Sequence, residues 1–435
     1  MNKRILKLAI PNIISNLSVP LVGIVDIALM GHQHDPAYIG AIALGSTIFT
    51  FIYAGLLFLR MGTSGFTAQN LGARDMSESF LILGRALGMA LTFGLILILL
   101  QHPVSYLAFN FLEGSDAVKN IAGEYFRTRI WAAPATLGLY AITGWYIGMQ
   151  DAKTPMWITI TVNLVNIGFS LLFIIVFDMK AKGVALGTVI GQYTGFVLAL
   201  ILLSRQSARI KKYWSLIKIL NRKALALFMN VNKDILIRSV LLTGSFYYFN
   251  AKSASLGDEI LAVNSILLQF LWIFSYFIDG FAFAAEALTG KYIGAKSQKN
   301  LTLAIRQLFI WATGISLFIT LLYAIFNGGI ISLLTSQSAV IELARNYKAW
   351  VILLPLISFA AFVWDGIYIG ATEGASLRNA MILSTILIFI PAMHLFTLWW
   401  GNHGMWAALS LFMFSRGFLL LLYYPKNILT KIPET

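Results

Sequence analysis

Cysteine is absent from this 435-residue chain. Disulfide bonds, thiolate nucleophiles and cysteine-ligated metal sites are therefore excluded. Charge is also scarce: charged residues make up 11% of the chain, against about 25% in a soluble domain. So few charges cannot cover a water-facing surface. Because 58% of the residues are hydrophobic, the composition indicates an integral membrane protein.

Histidine is rare and scattered. The five histidines are His32, His34, His102, His394 and His403. They form no His-Glu motif, and no clustered set of catalytic groups accompanies them. We therefore expect a protein that is not an enzyme and that uses no cofactor.

Apolar stretches of membrane-spanning length dominate the chain. A spanning helix needs about 20 mostly apolar residues. Twelve stretches qualify: 8–31, 37–59, 80–101, 122–147, 156–177, 183–203, 232–252, 259–283, 302–326, 347–370, 378–400 and 404–424. The first follows a basic start, but it is too long for a signal peptide and lacks a cleavage site. The sequence predicts an all-α polytopic membrane protein with twelve transmembrane helices.

The Lys and Arg residues that give the net charge of +14 are unevenly distributed between the loops on the two sides of the membrane. If the N-terminus is cytoplasmic, most of these residues fall on the inner side, which predicts that both termini are cytoplasmic. This interpretation assigns Arg60, Arg85 and Arg416 to the inner side and Arg129 to the outer side. We expect a multi-pass protein of the cell (plasma or inner) membrane.

A basic amphipathic stretch covers residues 204–231, with Trp214 among its cations. We interpret it as a linker formed by one interfacial helix on the cytoplasmic face, between an N-terminal bundle at 1–203 and a C-terminal bundle at 232–435. Anionic lipid explains the basic charge, so we expect contact with membrane lipid and not with nucleic acid.

The two halves share a repeat at a constant offset of 222 residues. The matching pairs are GWYIG at 144–148 with GIYIG at 366–370, Gly72–Ala73 with Gly294–Ala295, and Gly195–Phe196 with Gly417–Phe418. Each repeat holds six predicted helices, and an even number inserts both copies the same way up. Two pseudo-symmetric six-helix bundles of this kind are typical of secondary transporters.

Asp26 is the only charge in the stretch 8–31. A charge at membrane depth costs roughly 3 kcal/mol on insertion scales, so it usually faces a bundle interior or a watery cavity. A carboxylate there can bind a proton or a metal cation, as an ion-coupled transporter requires. The alternative is an Asp near a helix end that reaches water. At offset 222 its counterpart is Tyr248, which predicts different chemistry in the two bundles.

The N-terminal segments IPNIISNLSVPLVGIVDIALMGH, YIGAIALGSTIF and FLRMGTSGFTAQNLGA resemble the MATE family of multidrug and toxic-compound extrusion proteins. The segment FVWDGIYIGATEGASLRNAMILS resembles the DinF branch of that family. The resemblance implies two six-helix bundles that form a V, alternating access, and export of organic compounds against inward H⁺ or Na⁺.

The resemblance also implies a cation site in the N-terminal bundle. Pro11 and Asp26 match the kink proline and the essential Asp of helix 1. Asn166 on helix 5 and Thr188 on helix 6 match family site residues, whereas Ser170 stands where the family often has an Asp. A single carboxylate offers few anionic oxygens to Na⁺ but suffices for a proton. We therefore expect H⁺ coupling, with a Na⁺ site at Asp26 as the alternative.

Counting along the helices at 1.5 Å per residue brings Asp26, Ser170 and Thr188 to similar depth in the outer half of the membrane. Asn163 lies deeper on helix 5, and Gln192 shares a face with Thr188. We predict that these side chains join the site. The alternative is that the amides and hydroxyls only hold helices together.

Helix 1 carries Pro11 and Pro20, and each removes a backbone hydrogen bond, which predicts a kinked helix. In the second half, Arg238 would demand a carboxylate partner inside a span. We predict that it pairs with Asp279 or Asp365, as an inner gate or second protonation site, or alternatively as a structural ion pair that locks the bundle. Glu286 is expected to face a solvated loop.

The sequence thus favours a monomeric, H⁺-coupled antiporter of small organic, often cationic or amphiphilic, compounds. Two alternatives stay open. One is a Na⁺-coupled exporter of the same family. The other is a lipid-linked sugar flippase of the wider superfamily, which would favour a strongly cationic cavity and more than twelve helices.

Overall fold

The computed structural model describes residues 1–31, 37–112 and 114–432, and its regular structure there is helical throughout. Eighteen α-helices follow one another along the chain: α1 Asn2–Gly31, α2 Ala37–Leu56, α3 Phe58–Gly72, α4 Met76–Leu99, α5 Gln101–Phe111, α6 Asp116–Arg129, α7 Ala133–Gly148, α8 Lys153–Leu171, α9 Lys180–Ser204, α10 Ser207–Tyr213, α11 Leu216–Ile219, α12 Arg222–Ala254, α13 Asp258–Gly294, α14 Gln298–Leu334, α15 Ser338–Gly370, α16 Gly374–Ile382, α17 Ile390–Trp400 and α18 Asn402–Asn427. A π-helical turn at Leu172–Val176 extends α8, and another at Leu383–Phe389 joins α16 to α17.

Each of the twelve predicted spans coincides with helix. In the described part of the chain, ten helices are long and apolar enough to cross a membrane, against the twelve predicted. The two exceptions have physical reasons. A 3₁₀ turn at Ile130–Ala132 divides 122–147 between α6 and α7. Predicted span 232–252 lies in α12, which carries charged residues such as Asp234 and Arg238 along its length.

The helices form two compact units. The first, here called the N-unit, is Ile14–Met229; the second, the C-unit, is Met1–Ile13 with Asn230–Thr435. Helix α1 therefore contributes its first residues to the C-unit and the rest to the N-unit. The predicted division into segments 1–203, 204–231 and 232–435 remains a prediction.

The predicted linker is not one helix. It contains α10, α11 and the first residues of α12. The Trp214 ring and the Ile219 side chain lie against Gly84 of α4. In addition, Arg85 of α4 donates from Nη2 to the carbonyl of Lys218 at 3.1 Å and from Nε to that of Ile219 at 3.3 Å. Packing on α4 thus overrides the continuous amphipathic pattern.

The pseudo-symmetry recurs in the turns that end α3 and α13, and α7 and α15. Arg74 and Lys296 both have left-handed backbones, with φ of 60° and 51°. Gln150 and Thr372 form a second such pair, at 66° and 53°. All four are non-glycine residues, and each pair is separated by 222 residues. The repeat therefore extends to unusual backbone conformations, which a chance similarity of apolar sequence would not produce.

Glycines at the same offset let helices touch in both units. A Cβ on Gly144 would strike the carbonyl oxygen of Arg60, and one on Gly366 would strike that of Ala282. Helix α9 has its own stripe, in which Gly187 and Gly191 lie directly against α8. Each of these helix pairs packs backbone to backbone, as small residues allow.

Three arginines that the loop count treated as inner-loop charges are instead buried. They are Arg60, Arg85 and Arg416, all at most 8% exposed. Each lies within a helix and faces other helices, so the loop count overestimated the positive charge of the inner loops.

Candidate functional site

Asp26 lies on the N-unit part of α1 and is 8% exposed. Its neighbours Ile24 and Ile27 are 63% and 56% exposed, so the carboxylate lies on the narrow inward-facing stripe of a helix that otherwise faces outward. Its Oδ1 atom is buried and has no hydrogen-bond partner among the described residues. A buried acceptor in this condition is costly unless it binds something.

Helix α1 runs through both of its prolines without ending. Pro11 is buried and Pro20 is half-buried. Ser18 turns its hydroxyl back to the carbonyl of Ser15 at 2.7 Å, so side chains supply some of the helix's local hydrogen bonding near Pro20.

The structure brings Asn166, Ser170 and Thr188 together. Asn166 Nδ2 donates to Thr188 Oγ1 at 3.1 Å, and Ser170 Oγ donates to Asn166 Oδ1 at 3.3 Å. Thr188 in turn donates to the carbonyl of Val184. All three side chains are buried. The cluster joins α8 to α9 and is satisfied by its own hydrogen bonds.

Asn163 ties α8 to α1, because its Nδ2 donates to Ser18 Oγ at 2.8 Å. As the first and fifth spans of an up-and-down chain, α1 and α8 run the same way. Asp26 is eight residues past Ser18 and Ser170 is seven past Asn163. They therefore lie at similar height, about 10–12 Å beyond that contact. Gln192 is half-buried on α9.

Arg129, predicted to lie outside the membrane, is instead half-buried in the N-unit at the end of α6. Its guanidinium lies 4.8 Å from the ring centre of Phe49 and 5.5 Å from that of Tyr125. It donates from Nη1 to the Tyr125 hydroxyl and to Ser46 Oγ, the latter at 3.4 Å. It also interacts electrostatically with Asp26. The available signal was its position within the predicted span 122–147.

In the C-unit, two arginines share one carboxylate. Arg238 of α12 and Arg416 of α18 both form ion pairs with Oδ2 of Asp365 on α15, the second at 2.7 Å. All three are buried. Asp279 of α13 is half-buried and acts electrostatically on Arg416. Of the two predicted partners of Arg238, the ion pair is with Asp365, and the sequence interpretation missed Arg416.

The sequence also made predictions for two other residues of the C-unit, Glu286 and Tyr248. Glu286, expected to face a solvated loop, is 1% exposed on α13; that prediction was wrong because α13 continues through it to Gly294. Tyr248, the counterpart of Asp26, lies with its hydroxyl 3.2 Å from Nδ1 of His394. The position that holds a carboxylate in the N-unit therefore holds a phenol in the C-unit.

The repeat and the all-helical units match one family of proteins. A sequence model of the MatE family matches residues 11–172 and again residues 235–394. The chain belongs to the MatE family. The same model matches once in each half of the chain, in agreement with the internal repeat.

Two relatives place this MatE protein more closely. It is 34% identical over 420 residues to DNA damage-inducible protein F of Escherichia coli, covering 96% of this chain and 91% of that protein. It is 25% identical over 449 residues to a probable multidrug resistance protein NorM of Photorhabdus laumondii, covering 97% and 94%. The identity to DNA damage-inducible protein F supports the assignment of this chain to the DinF branch of the family.

Solved structures share the fold. A transporter of the MOP superfamily from Pyrococcus furiosus superposes with a TM-score of 0.89 at 18% identity, covering 99% of this chain and 97% of that one. A MATE transporter of Vibrio cholerae gives 0.86 at 17% identity, covering 98% and 96%. The protein is thus a member of a family of multidrug efflux transporters, integral membrane proteins that carry small organic substrates, and not an enzyme.

Proposed function

We propose that this MatE protein is a proton-coupled antiporter that exports small organic, often cationic or amphiphilic, compounds by alternating access, and that Asp26 is its coupling carboxylate. The observation that carries the proposal is the buried Oδ1 atom of Asp26, which has no hydrogen-bond partner among the described residues. A proton on this carboxyl would neutralise it in a setting where an isolated charge is expensive.

Proton coupling is favoured over Na⁺ coupling by the polar side chains of α8 and α9 that were predicted to join the site. Asn166, Ser170 and Thr188 hydrogen-bond to one another, so their amide and hydroxyl groups are already used. Within the described residues no group of three acidic or histidine side chains could hold a metal ion. A proton needs only the carboxylate, whereas Na⁺ would need several oxygens rearranged.

Protonation would act through helix α1. Neutral Asp26 suits the N-unit interior, and the ionised form seeks water or a cation. A helix that carries Pro20 six residues before Asp26 has one backbone hydrogen bond fewer with which to resist bending. Substrate binding and proton binding would then favour different access states, which is reciprocal coupling.

The cluster of Arg238, Asp365 and Arg416 serves better as a bundle-locking ion pair than as a second proton site. Two cations hold one carboxylate, so removing that charge by protonation would leave both arginines uncompensated. We propose that the protein acts as a monomer in the cell membrane, and the remaining loop charges favour both termini in the cytoplasm.

The test is transport by the Asp26→Asn variant in proteoliposomes, with ethidium as the probe and an imposed pH gradient. Asp26→Asn should abolish gradient-driven ethidium movement and leave the protein folded by size-exclusion chromatography. Asp116→Asn, an exposed carboxylate at the start of α6, is the matched control and should transport normally. Wild-type transport by Asp26→Asn would overturn the proposal.

Ion substitution separates the alternatives. A pH gradient without Na⁺ should drive ethidium export by the wild-type protein, and a Na⁺ gradient with the pH gradient collapsed should not. Export driven by Na⁺ alone would establish the Na⁺-coupled alternative. Movement of a lipid-linked sugar under either condition, with no movement of ethidium, would instead establish the flippase.

A further inference from the structure

We propose that Arg129 is a fixed counter-charge for Asp26, and that it makes the N-unit site accept H⁺ and reject Na⁺. The inference rests on the proposed function of Asp26. It adds a specificity-determining residue on α6, a helix that contributes none of the site residues predicted from the sequence.

The first observation is a shared aromatic layer. Asp26, Leu29 and Met30 lie on one face of α1, because residues three and four apart are neighbours on a helix. Met30 is fully buried and Leu29 packs in the same cluster as Phe49 and Tyr125. Arg129 lies over those two rings. The face of α1 that carries Asp26 and the guanidinium of Arg129 thus lie against the same layer of aromatic rings.

The second observation is complementary unused hydrogen bonding. Arg129 uses Nη1 on Tyr125 and Ser46, but its Nε is buried and has no partner in the described structure. Asp26 Oδ1 is a buried acceptor in the same condition. A donor and an acceptor, of opposite charge, are left without partners around one cluster, and the two groups interact electrostatically.

Besides Asp26, the ionisable groups that act on Arg129 in the described part of the chain are phenols. Tyr125 on α6 and Tyr53 on α2 interact with Arg129 directly. Tyr140 on α7 interacts with Tyr53, Arg60 and Arg129. Among these described groups Asp26 is the carboxylate, so the guanidinium has one acidic partner to neutralise.

A fixed positive charge weakens the binding of every cation at Asp26, and it does so strongly in a low-dielectric interior. The consequences for the two ions differ. A carboxylate binds H⁺ through a covalent O–H bond and can lose much affinity while still titrating in the cell. It binds Na⁺ only weakly, so the same loss removes Na⁺ binding altogether. Arg129 therefore selects the coupling ion without contacting it.

The experiment follows the carboxyl C=O infrared band of Asp26 during a pH titration of the purified full-length protein, in NaCl and in choline chloride. The difference from Asp26→Asn assigns the band. The wild-type titration should be the same in both salts. In Arg129→Gln, Na⁺ should compete with the proton and move the midpoint in NaCl relative to choline by at least about half a pH unit, roughly a threefold change in apparent proton affinity.

Two controls separate charge from packing. Arg129→Lys keeps the charge and should remain insensitive to Na⁺. Arg127→Gln, an exposed arginine on the same helix, should behave as wild type. If Arg129→Gln does not fold, Arg129→Met removes the charge while keeping apolar contact with Phe49, and the same shift is expected.

The outcomes are decisive in both directions. A wild-type titration that differs between NaCl and choline overturns the inference without any variant. So does an Arg129→Gln or Arg129→Met protein that shows no response to Na⁺. Either result is distinguishable from a failure of the proposed function, which is tested separately by transport in the Asp26→Asn variant and by the ion-substitution assay.

Discussion

At the scale of single residues, the strongest electrostatic arrangement is Asp365 between Arg238 and Arg416. All three are buried, and both arginines form their ion pairs with the same carboxylate oxygen. Removing one partner of a buried ion pair is far more destabilising than replacing both partners by apolar residues. The reason is that an uncompensated charge stays buried.

We predict that Asp365→Asn lowers the free energy of unfolding by about 3–5 kcal/mol. Arg238→Met should cost clearly less, because Asp365 keeps Arg416 as its partner. Thermal unfolding in detergent measures both, and Asp258→Asn, at the exposed start of α13, is the control. Equal losses in the Asp365 and Arg238 variants would contradict this ranking.

Sequence reasoning found the carboxylates of both units and a carboxylate partner for Arg238, but it missed Arg129 and Arg416. Asp26 was visible because a lone acid in an apolar stretch is costly at membrane depth and usually has a functional or structural reason. Arg129 and Arg416 lie near span ends, where a basic residue is ordinarily a loop charge. Only the packing of α6 on α2, and of α18 on α15, turns their side chains inward, and no local pattern encodes that packing.

At the scale of helices, the contacts at Gly144 and Gly366 hold equivalent pairs in the two units. We predict that Gly144→Ala and Gly366→Ala both destabilise the protein, because each new Cβ would meet a backbone carbonyl that cannot move alone. Gly314→Ala in α14, where a Cβ meets nothing within 4 Å, should be neutral or gain up to about 1 kcal/mol. The melting temperatures of the three variants, compared with that of the wild-type protein, test this prediction.

Helix α11 is held to α4 mainly through Arg85. We predict that Arg85→Gln frees the stretch around Lys218 and speeds tryptic cleavage there several-fold, because two backbone hydrogen bonds and the ion pair with Glu78 are lost together. Limited proteolysis with mass mapping is the measurement, with Arg209→Gln in α10 as the control. Unchanged cleavage in Arg85→Gln would show that Trp214 and Ile219 suffice.

Helix positions were largely predictable, since apolar runs of spanning length allow little else in a membrane. The break between α10 and α11 was not predictable. It depends on the glycine at position 84, which makes room for Ile219 on a helix far away in sequence. Likewise, the 3₁₀ turn after Arg129 interrupts a segment whose composition suggested one continuous helix.

At the scale of the whole molecule, the topology can be tested cleanly because the chain has no cysteine of its own. We predict that Lys218→Cys, in α11, reacts with a membrane-impermeant maleimide only from the cytoplasmic side. Leu256→Cys, between α12 and α13, should react only from the opposite side. Labelling of intact and opened cells compares the two, and the reverse pattern would invert the assigned orientation.

The phenol of Tyr248 at the position equivalent to Asp26 has a bearing on energetics. If Asp26 alone carries the coupled proton, the proposed cycle exchanges one proton for each substrate. For a monovalent cation such an exchange moves no net charge, so the membrane voltage contributes nothing. The pH difference alone would then limit how steep a substrate gradient the transporter can sustain.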